Sequence, residues 1–404
     1  MSQATDSVIR DSRRHVAIAT GTRADWGLLS PIARGLSQRN DVKVSIIATN
    51  MHLDSRFGNT LSEIENDGFE VAERVPVIDC SAEDSPLERA KATGRATIGF
   101  AEALSRLKPD ILLILGDRFE MLGAATAAQM MRVPIVHISG GEITRGAIDD
   151  SLRHAITKLA ALHLTATETY RRRVINMGEP ENLVINTGAI GVDNLMRIEP
   201  LTPGQLEEQL GIRIDRNTLL VTYHPVTLSS NDISLAVGEL LDALDRFPDS
   251  TVIFTYPNND AGADTIIPMI RKYAADNPGR VALVASLGRV RYLSALKAVG
   301  AVVGNSSSGI VEVPSAHIPT VNIGNRQEGR LASRSVINCG ESADEISAAI
   351  TEALSEDGRR RAELSPNPYH NADTLSKMVE AIAETPLSSL SVKNFTDPFP
   401  LENS

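Results

Sequence analysis

The chain of 404 residues has little cysteine, few aromatic residues and no long hydrophobic run. Its two cysteines, Cys80 and Cys339, lie far apart in sequence and form no zinc-type or redox pair, which predicts a reducing, cytoplasmic compartment. No apolar run reaches the roughly 18 residues that a membrane span requires. The net charge of −11 argues against nucleic-acid and anionic-membrane partners, because both need a broad basic surface. Any phosphate must therefore be bound locally.

Motifs of several nucleotide-dependent and metal-dependent enzymes are also missing. The chain has no Gly-x-x-x-x-Gly-Lys loop, no Gly-x-Gly-x-x-Gly after its first strand, no His-Glu-x-x-His and no Gly-x-Ser-x-Gly. These absences argue against a P-loop ATPase, a bound NAD and a zinc hydrolase. We expect activity without a metal ion or any other cofactor.

The apolar runs that are present form two series of short strands with helical patterns between them. The first series comprises His15–Thr20, Val42–Ala48, Ile111–Leu115, Ile135–Ile138, Leu162–Ala166 and Val184–Asn186. The second comprises Leu219–Tyr223, Val252–Thr255, Val281–Ala285, Ala301–Val303 and Thr320–Ile323. Short branched runs that alternate with helices are typical of buried parallel strands. Each series therefore predicts one doubly wound, Rossmann-like α/β domain.

The boundary between the two domains is predicted near residue 200, where the run 197–204 contains two prolines and a glycine. We expect a first domain at 15–199 and a second at 200–385, with the last helix packing back on the first domain. Residues 1–14 are expected to form a disordered tail without a signal peptide, and 386–404 a loose polar tail. Ligands of open parallel sheets bind beyond the carboxyl ends of the strands, which places the site in a central cleft.

One strand end of the second series has the composition of a phosphate site. The strand Ala301–Val303 leads into Ser306–Ser308, Gly309 and, a turn later, Glu312. Backbone N–H groups at a fresh helix N-terminus favour an anion, and glycine admits close approach. A carboxylate in this place can accept hydrogen bonds from sugar hydroxyls. The segment suits a nucleotide sugar, with an ordinary serine-capped loop as the alternative.

Polar residues also follow other predicted strands. Arg23 can reach a phosphate from the opposite domain, and Asp117 with Arg118 stands directly after a buried strand. Glu142 follows two glycines that let the backbone approach a ligand. In the second domain His224 precedes a proline, which holds it extended and aims it at the cleft. The structural alternatives are a solvated arginine, an ordinary turn and a core histidine.

A helix predicted over 149–159 carries two polar pairs. Asp149 and Arg153 lie four residues apart, as do Asp150 and His154, so each pair shares a helix face. One such pair commonly stabilises a helix and nothing more. Two carboxylates, an arginine and a histidine within one turn, soon after a glycine pair, favour an active-site helix.

Together these stretches resemble the hydrolysing UDP-N-acetylglucosamine 2-epimerases of sialic-acid biosynthesis, in order, over roughly residues 15 to 380. The resemblance implies a glycosyltransferase-B-type fold that binds the nucleotide mainly in its second domain. It also implies that UDP-N-acetylglucosamine and water give N-acetylmannosamine and UDP, through elimination to a glycal and hydration with inversion at C2. The stretches that carry it are Gly21–Asp25, Gly116–Arg118, His137–Glu142, Asp149–Leu159, His224–Pro225, Pro257–Gly262 and Gly304–Gly309.

The family pattern carries over to individual residues. It implies acid/base roles for Asp117 and Asp149 and places His224 near the leaving diphosphate. Several members have a catalytic glutamate where this chain has Ser139, and we take Glu142, the nearest carboxylate, as its replacement. The residues expected to bind the substrate or UDP are Arg23, Arg118, Arg153, Asn258, Asp260, Ser306, Ser307, Glu312 and Arg326.

Several alternatives remain open at the level of sequence. The family also includes enzymes for UDP-N,N′-diacetylbacillosamine, the precursor of legionaminic acid, and the changed residue at Ser139 is a candidate mark of that substrate. A non-hydrolysing epimerase, a glycosyltransferase of the same fold and a non-catalytic nucleotide-sugar sensor are the rivals. The two carboxylates disfavour the sensor, because binding an anion gains nothing from nearby negative charge. We expect a homodimer or homotetramer.

Overall fold

A computed structural model describes residues 12–54, 60–79, 81–82, 85–145, 148–225, 232–257 and 262–397. These residues form two parallel sheets, one of seven strands in the order β3-β2-β1-β4-β5-β6-β7 and one of six in the order β10-β9-β8-β11-β12-β13. The first sheet contains β1 (Arg14–Thr20), β2 (Val42–Thr49), β3 (Val71–Val75), β4 (Ile111–Leu115), β5 (Ile135–Ile138), β6 (Leu162–Thr165) and β7 (Val184–Asn186). The second contains β8 (Leu219–Thr222), β9 (Val252–Thr255), β10 (Val281–Val284), β11 (Ala301–Gly304), β12 (Thr320–Ile323) and β13 (Val336–Cys339).

Helices cover both faces of each sheet, as the doubly wound prediction requires. They are α1 (Arg23–Ser37), α2 (Leu61–Asn66), α3 (Pro86–Leu107), α4 (Phe119–Met131), α5 (Asp149–Leu159), α6 (Glu168–Asn176), α7 (Ile190–Arg197), α8 (Pro203–Leu210), α9 (Ile233–Asp245), α10 (Ala263–Asp276), α11 (Gly288–Ala298), α12 (Ser308–Val311), α13 (Ala343–Leu354), α14 (Glu356–Leu364), α15 (Thr374–Glu384) and α16 (Leu387–Leu390). Short 3₁₀ turns lie at Asn50–Leu53, Glu181–Leu183 and Val313–Ala316. Among the helices that the structure describes, none has the length and apolarity needed to cross a membrane.

Every strand predicted from the sequence is present, with its ends within one residue, and the fold is of the glycosyltransferase-B type. Two strands were missed, β3 and β13, and both lie at sheet edges. An edge strand is covered less completely, so its sequence need not be apolar throughout. In β3 the polar Glu73 and Arg74 interrupt the pattern, and in β13 Asn338 is exposed.

The strand order reverses at one position in each sheet, between β1 and β4 in the first and between β8 and β11 in the second. Ligands of open α/β sheets bind at such switch points, outside the carboxyl ends of the strands. Four of the seven predicted site motifs lie at the ends of these four strands: Gly21–Arg23, Gly116–Arg118, His224–Pro225 and Gly304–Ser308.

The end of the chain returns to the first sheet. Helix α15 packs on α1, and Met378 and Ile382 lie in the same buried cluster as the β1 and β2 side chains. Gly35 permits this approach, because a Cβ there would lie 2.7 Å from a methyl group of Val379. Beyond α16, Lys393 donates to the buried carboxylate of Glu179 at 2.5 Å.

The segment after Pro386 is therefore attached through residue 397, which differs from the loose tail expected from the sequence. The attachment comes from a few specific contacts. Thr396 donates a backbone hydrogen bond of 2.9 Å to Gly178, and the Lys158 ammonium lies 5.1 Å from the centre of the Phe395 ring. A lysine, a phenylalanine and a backbone amide are too sparse a pattern to stand out in a polar stretch.

Candidate active site

Asp117 follows β4 in a turn that Gly116 makes possible with a φ of +76°. Its carboxylate forms an ion pair with Arg153 of α5, whose side chain is 2% exposed. Burial by itself would raise the pKa of Asp117, but Arg153 and Arg330 outweigh burial and hold the pKa below its ordinary value. Asp117 is therefore ionised at neutral pH, as a proton acceptor must be.

The Arg153 guanidinium ties α5 to the loop after β5. It donates to Asp150 at 3.2 Å, to the carbonyl oxygen of Glu142 at 3.1 Å and to Thr144 at 3.0 Å. Of the two pairs predicted from helix periodicity, Asp150 and His154 do lie together, 3.7 Å apart, whereas Arg153 contacts Asp150 and Asp117 in place of Asp149. A tertiary contact with a buried strand end outweighs an i, i+4 pair, because the arginine points inward. Asp149 is half-buried at the first position of α5.

The loop after β5 contains Ser139 and Glu142. Ser139 adopts a left-handed conformation with a φ of +66°. The Glu142 carboxylate is 7% exposed and pairs with Arg330 of the second domain. The glycine pair was expected to let the backbone crowd a ligand, but Gly141 instead lies against α6, where a Cβ would stand 2.6 Å from the carbonyl oxygen of Tyr170.

His224 is buried at the end of β8 and is held by its backbone. Its N–H donates to the Asn305 side chain at 2.7 Å, and the Asn305 amide donates to its carbonyl oxygen at 2.8 Å. Arg326 donates to the Asn305 carbonyl oxygen at 3.1 Å. Burial, reinforced by Arg326, lowers the pKa of His224 well below its ordinary value. His224 is therefore a neutral hydrogen-bonding group, and Arg326 provides positive charge beside it.

The serine turn lies next to these groups, at the end of β11. Gly304 is required there, because its φ is +134° and a Cβ would stand 2.0 Å from the carbonyl oxygen of Thr222. Ser306 and Ser307 are half-buried and precede the short helix α12. Burial raises the pKa of Glu312 to about 7, with Ser308 opposing the shift. Near neutral pH this carboxyl can both donate and accept a hydrogen bond.

Arg23 and Arg118 stand at the switch point of the first sheet. Arg23 begins α1, and its Nε lies 3.9 Å from the Glu63 carboxylate. Arg118 donates to Glu120 at 2.8 Å, and Asn50 donates to the same oxygen at 2.6 Å. Sequence reasoning missed Asn50 and Glu120. The signal available was a glutamate two residues beyond Arg118 on a helix face that is otherwise apolar.

A carboxyl pair lies beneath these arginines. Within the part of the chain that the structure describes, Oδ2 of Asp25, Oδ1 of Asn50 and Oε2 of Glu120 are buried without a hydrogen-bond partner. All three atoms are acceptors, so a proton would give one of them a donor. Burial raises the pKa of Asp25 from an ordinary value near 3.8 to about 6, with Arg118 opposing and Glu120 reinforcing the shift. Asp25 therefore binds a proton at mildly acidic pH.

We expect Asp25→Asn to change the pH dependence of stability. A raised folded-state pKa means that the folded protein holds the proton more tightly, so the wild-type free energy of unfolding falls as pH rises from about 4 to 6, by up to about 3 kcal/mol. In the variant the free energy of unfolding does not fall for this reason. Its stability relative to wild type, measured by urea unfolding, should therefore increase from about pH 4 to 6. Asp242→Asn, at an exposed position on α9, is the control. Parallel stability curves for wild type and Asp25→Asn would contradict the assignment.

Two predicted binding residues, Asn258 and Asp260, lie outside the described residues. Among the residues that are described, no group of three or more histidine, cysteine, aspartate or glutamate side chains is arranged to hold a metal ion. The remaining predicted site residues lie in the loops and helices that follow strands of the two sheets.

Two Rossmann-like sheets whose switch points carry carboxylates, arginines and a serine turn define a fold of the glycosyltransferase-B type. The family model for UDP-N-acetylglucosamine 2-epimerases matches residues 34–383, and the chain belongs to this family. It is an epimerase of the hydrolysing UDP-sugar type.

Similar proteins support this membership over most of the chain. The chain is 38% identical over 327 residues to the GDP/UDP-N,N′-diacetylbacillosamine 2-epimerase (hydrolyzing) of Campylobacter jejuni, covering 81% of the chain and 84% of that protein. It is 35% identical over 376 residues to the UDP-N,N′-diacetylbacillosamine 2-epimerase (hydrolyzing) of Legionella pneumophila, covering 93% and 97%. Among solved structures, the UDP-GlcNAc 2-epimerase of Neisseria meningitidis bound to UDP-GlcNAc superposes with a TM-score of 0.76 at 16% identity, covering 92% and 100%.

Proposed function

We propose that this enzyme converts UDP-N,N′-diacetylbacillosamine and water into UDP and the free sugar epimerised at C2. The observation that carries the proposal is the identity of 38% and 35% to two hydrolysing diacetylbacillosamine epimerases, against 29% to the Neisseria meningitidis UDP-N-acetylglucosamine 2-epimerase. Ser139, where a family glutamate is expected, is consistent with a changed sugar subsite. UDP-N-acetylglucosamine, the substrate expected from sequence alone, is the competing candidate.

The proposed chemistry has two steps. In the first, a carboxylate removes the C2 proton and the C1–O bond breaks, so that its electron pair leaves with UDP and a glycal remains. In the second, water adds hydroxyl to C1 and a proton reaches C2 from the other face. Asp117 and Asp149 are the proposed proton carriers, because one follows β4 and the other begins α5, so that they can act at different points on the sugar.

The leaving diphosphate carries growing negative charge, which the surrounding groups are suited to stabilise. Arg23 approaches from the first domain, and Arg326 and the serine turn approach from the second. The neutral imidazole of His224 contributes an N–H donor. In many enzymes, preorganised hydrogen-bond donors in a site shielded from water make the largest contribution to the rate enhancement.

The experiment is product analysis by NMR with UDP-N,N′-diacetylbacillosamine and UDP-N-acetylglucosamine at equal concentration. We expect free epimerised sugar and UDP, with kcat/KM at least about tenfold higher for the diacetylated substrate, the scale of one good polar contact. In D2O the product should carry deuterium at C2, and in H2¹⁸O the label should enter the sugar and not UDP. Retention of the UDP–sugar bond would identify a non-hydrolysing epimerase. Binding without turnover would contradict catalysis.

The serine turn gives a separate prediction about the nucleotide. Ser306→Ala combined with Ser307→Ala should weaken UDP binding by roughly 1 to 3 kcal/mol, because charge-assisted hydrogen bonds to the diphosphate are lost. Isothermal titration calorimetry measures the change. Ser388→Ala with Ser389→Ala, an adjacent and exposed serine pair, is the matched control and should bind UDP as the wild type does. Equal UDP affinity in both double variants would show that the serine turn does not bind the diphosphate.

A further inference from the structure

Arg330 of the second domain forms an ion pair with the first domain. It lies in the turn after β12, where its N–H donates to the carbonyl oxygen of Gln327 at 3.2 Å. Its guanidinium pairs with Glu142 of the first domain, and the two side chains are 10% and 7% exposed. Sequence reasoning did not select Arg330, although it follows a buried strand and shares a short segment with Arg326.

The guanidinium is placed among acidic groups from both domains. Asp117 and Glu142 from the first domain act electrostatically on it, and it in turn stabilises the charged form of Glu312. Burial lowers the pKa of Arg330, but these neighbours outweigh burial and raise the pKa above its ordinary value. Arg330 therefore remains charged and neutralises carboxylates on both sides of the cleft.

Other contacts also join the two domains at this place, and none of them needs a buried charge. The hydroxyls of Tyr170 and Tyr369 lie 2.7 Å apart, and the Leu331 N–H donates to Tyr170 at 3.1 Å. At the rim, the N–H of Arg145 donates to the carbonyl oxygen of Glu328 at 3.0 Å, and their exposed side chains form an ion pair at 3.4 Å. Burying an arginine is costly unless nearby charges need it. We therefore expect Arg330 to do more than hold the two domains together.

We propose that Arg330 is a positioning residue for the reaction, whose ion pair with Glu142 fixes the loop after β5 and brings a second cation toward the Asp117 site when the second domain is seated on the first. The proposal rests on the proposed function, because it assigns Arg330 to that acid/base step. Glu142 then serves as the anchor of the loop after β5, and Asp117 remains the proton acceptor. The second domain thereby adds to the positive charge that Arg153 already supplies to Asp117 in the first domain.

The groups that face Asp117 decide what loss of Arg330 does. Arg153 of α5 and Arg330 both favour its ionised form, while His137 of β5 is neutral at working pH because burial lowers its pKa to about 3. Burial raises the pKa of Asp117, and the two arginines lower it. Without Arg330 only Arg153 opposes the effect of burial, so the pKa of Asp117 rises. Because the reaction requires the ionised Asp117 carboxylate, the acid limb of the activity profile should then move to higher pH.

The test compares Arg330→Gln with wild type in two measurements. In the pH profile of kcat, the acid limb should move upward by about one unit. A shift of that size leaves Asp117 ionised at pH 7, so the fall in kcat expected there, about tenfold with KM changed less, comes from the loss of the ion pair that anchors Glu142. A carbon-13 NMR titration of the Asp117 carboxyl, assigned with Asp117→Asn, should show the same upward move without any substrate. Arg330→Lys, which keeps the charge, should restore much of the wild-type midpoint.

The matched control is Arg145→Gln, which removes the exposed ion pair between the domains and touches neither Asp117 nor Glu142. Its profile and kcat should equal those of wild type. An unchanged Asp117 midpoint in folded Arg330→Gln, or an equal shift in Arg145→Gln, would overturn the proposal. Absence of free sugar with wild-type enzyme would instead contradict the proposed function, while the NMR midpoint would still decide the role of Arg330.

Discussion

Asp117→Asn is expected to lower kcat by about 100-fold or more and to leave UDP affinity within a few-fold. The change removes a proton carrier and keeps nearly the same shape, and a general acid or base usually contributes that much. The Asp117 carboxylate is aligned by Arg153, whose partners Asp150 and Thr144 remain in the variant. Steady-state kinetics and calorimetry with UDP give the two quantities.

Asp149→Asn should show a loss of the same size if it is the second proton carrier. The two variants differ in where the reaction stops, because one group acts in elimination and the other in hydration. Free glycal in one of them would assign that residue to hydration. Asp242→Asn, on the exposed face of α9, controls for the loss of a carboxylate as such. Near-normal turnover in both active-site variants would reject the assignment and direct attention to Glu142.

Arg153→Met is expected to destabilise the protein by about 3 to 5 kcal/mol. The substitution leaves the half-buried carboxylates of Asp117 and Asp150 without their shared cation, and breaking a buried ion pair from one side carries a cost of this size. Urea unfolding at pH 7 measures the difference. Arg106→Met, which removes an exposed pair with Glu73 at 2.8 Å, should change stability by no more than about 1 kcal/mol.

The effect of Arg153→Met should depend on pH in a defined direction. In the wild type, the lowered pKa of Asp117 contributes stability that is present at neutral pH and is lost as pH falls through the folded-state pKa. The variant lacks this contribution, so the difference between the two proteins should shrink toward pH 3. In the double variant with Asp117→Asn, part of the loss should be recovered, because one unpaired carboxylate is gone. A pH-independent difference would contradict the assigned pairing.

Eleven of the described strands were predictable because each is a short apolar run, which can be recognised from neighbouring residues alone. The polar residues at the carboxyl ends of β1, β4, β8 and β11 were visible for the same reason, since they follow each apolar run directly; their place in the site stays a prediction. The edge strands β3 and β13 were missed because partial exposure removes the apolar signal.

The partners of the site residues were not predictable, because they depend on distant parts of the chain. Helix periodicity assigned Arg153 to Asp149, whereas the fold turns the guanidinium toward Asp117 on another strand end. The Asp25, Asn50 and Glu120 cluster joins residues that follow three different strands. Glu142 was expected beside the sugar, but Arg330 from the other domain binds its carboxylate, and no local pattern contains that pair.

The return of α15 to the first domain affects how this protein is made. Met378, Ile382 and Leu390 complete the core around β1 and β2, so the first half of the chain emerges from the ribosome with part of its apolar surface uncovered. That surface stays uncovered until the whole second domain has been synthesised. A shortened chain that ends near residue 370 would lose a piece of its N-terminal core and keep all strands of its C-terminal sheet. Helices α15 and α16 are thus needed for the stability of the first domain, although they follow the second domain in sequence.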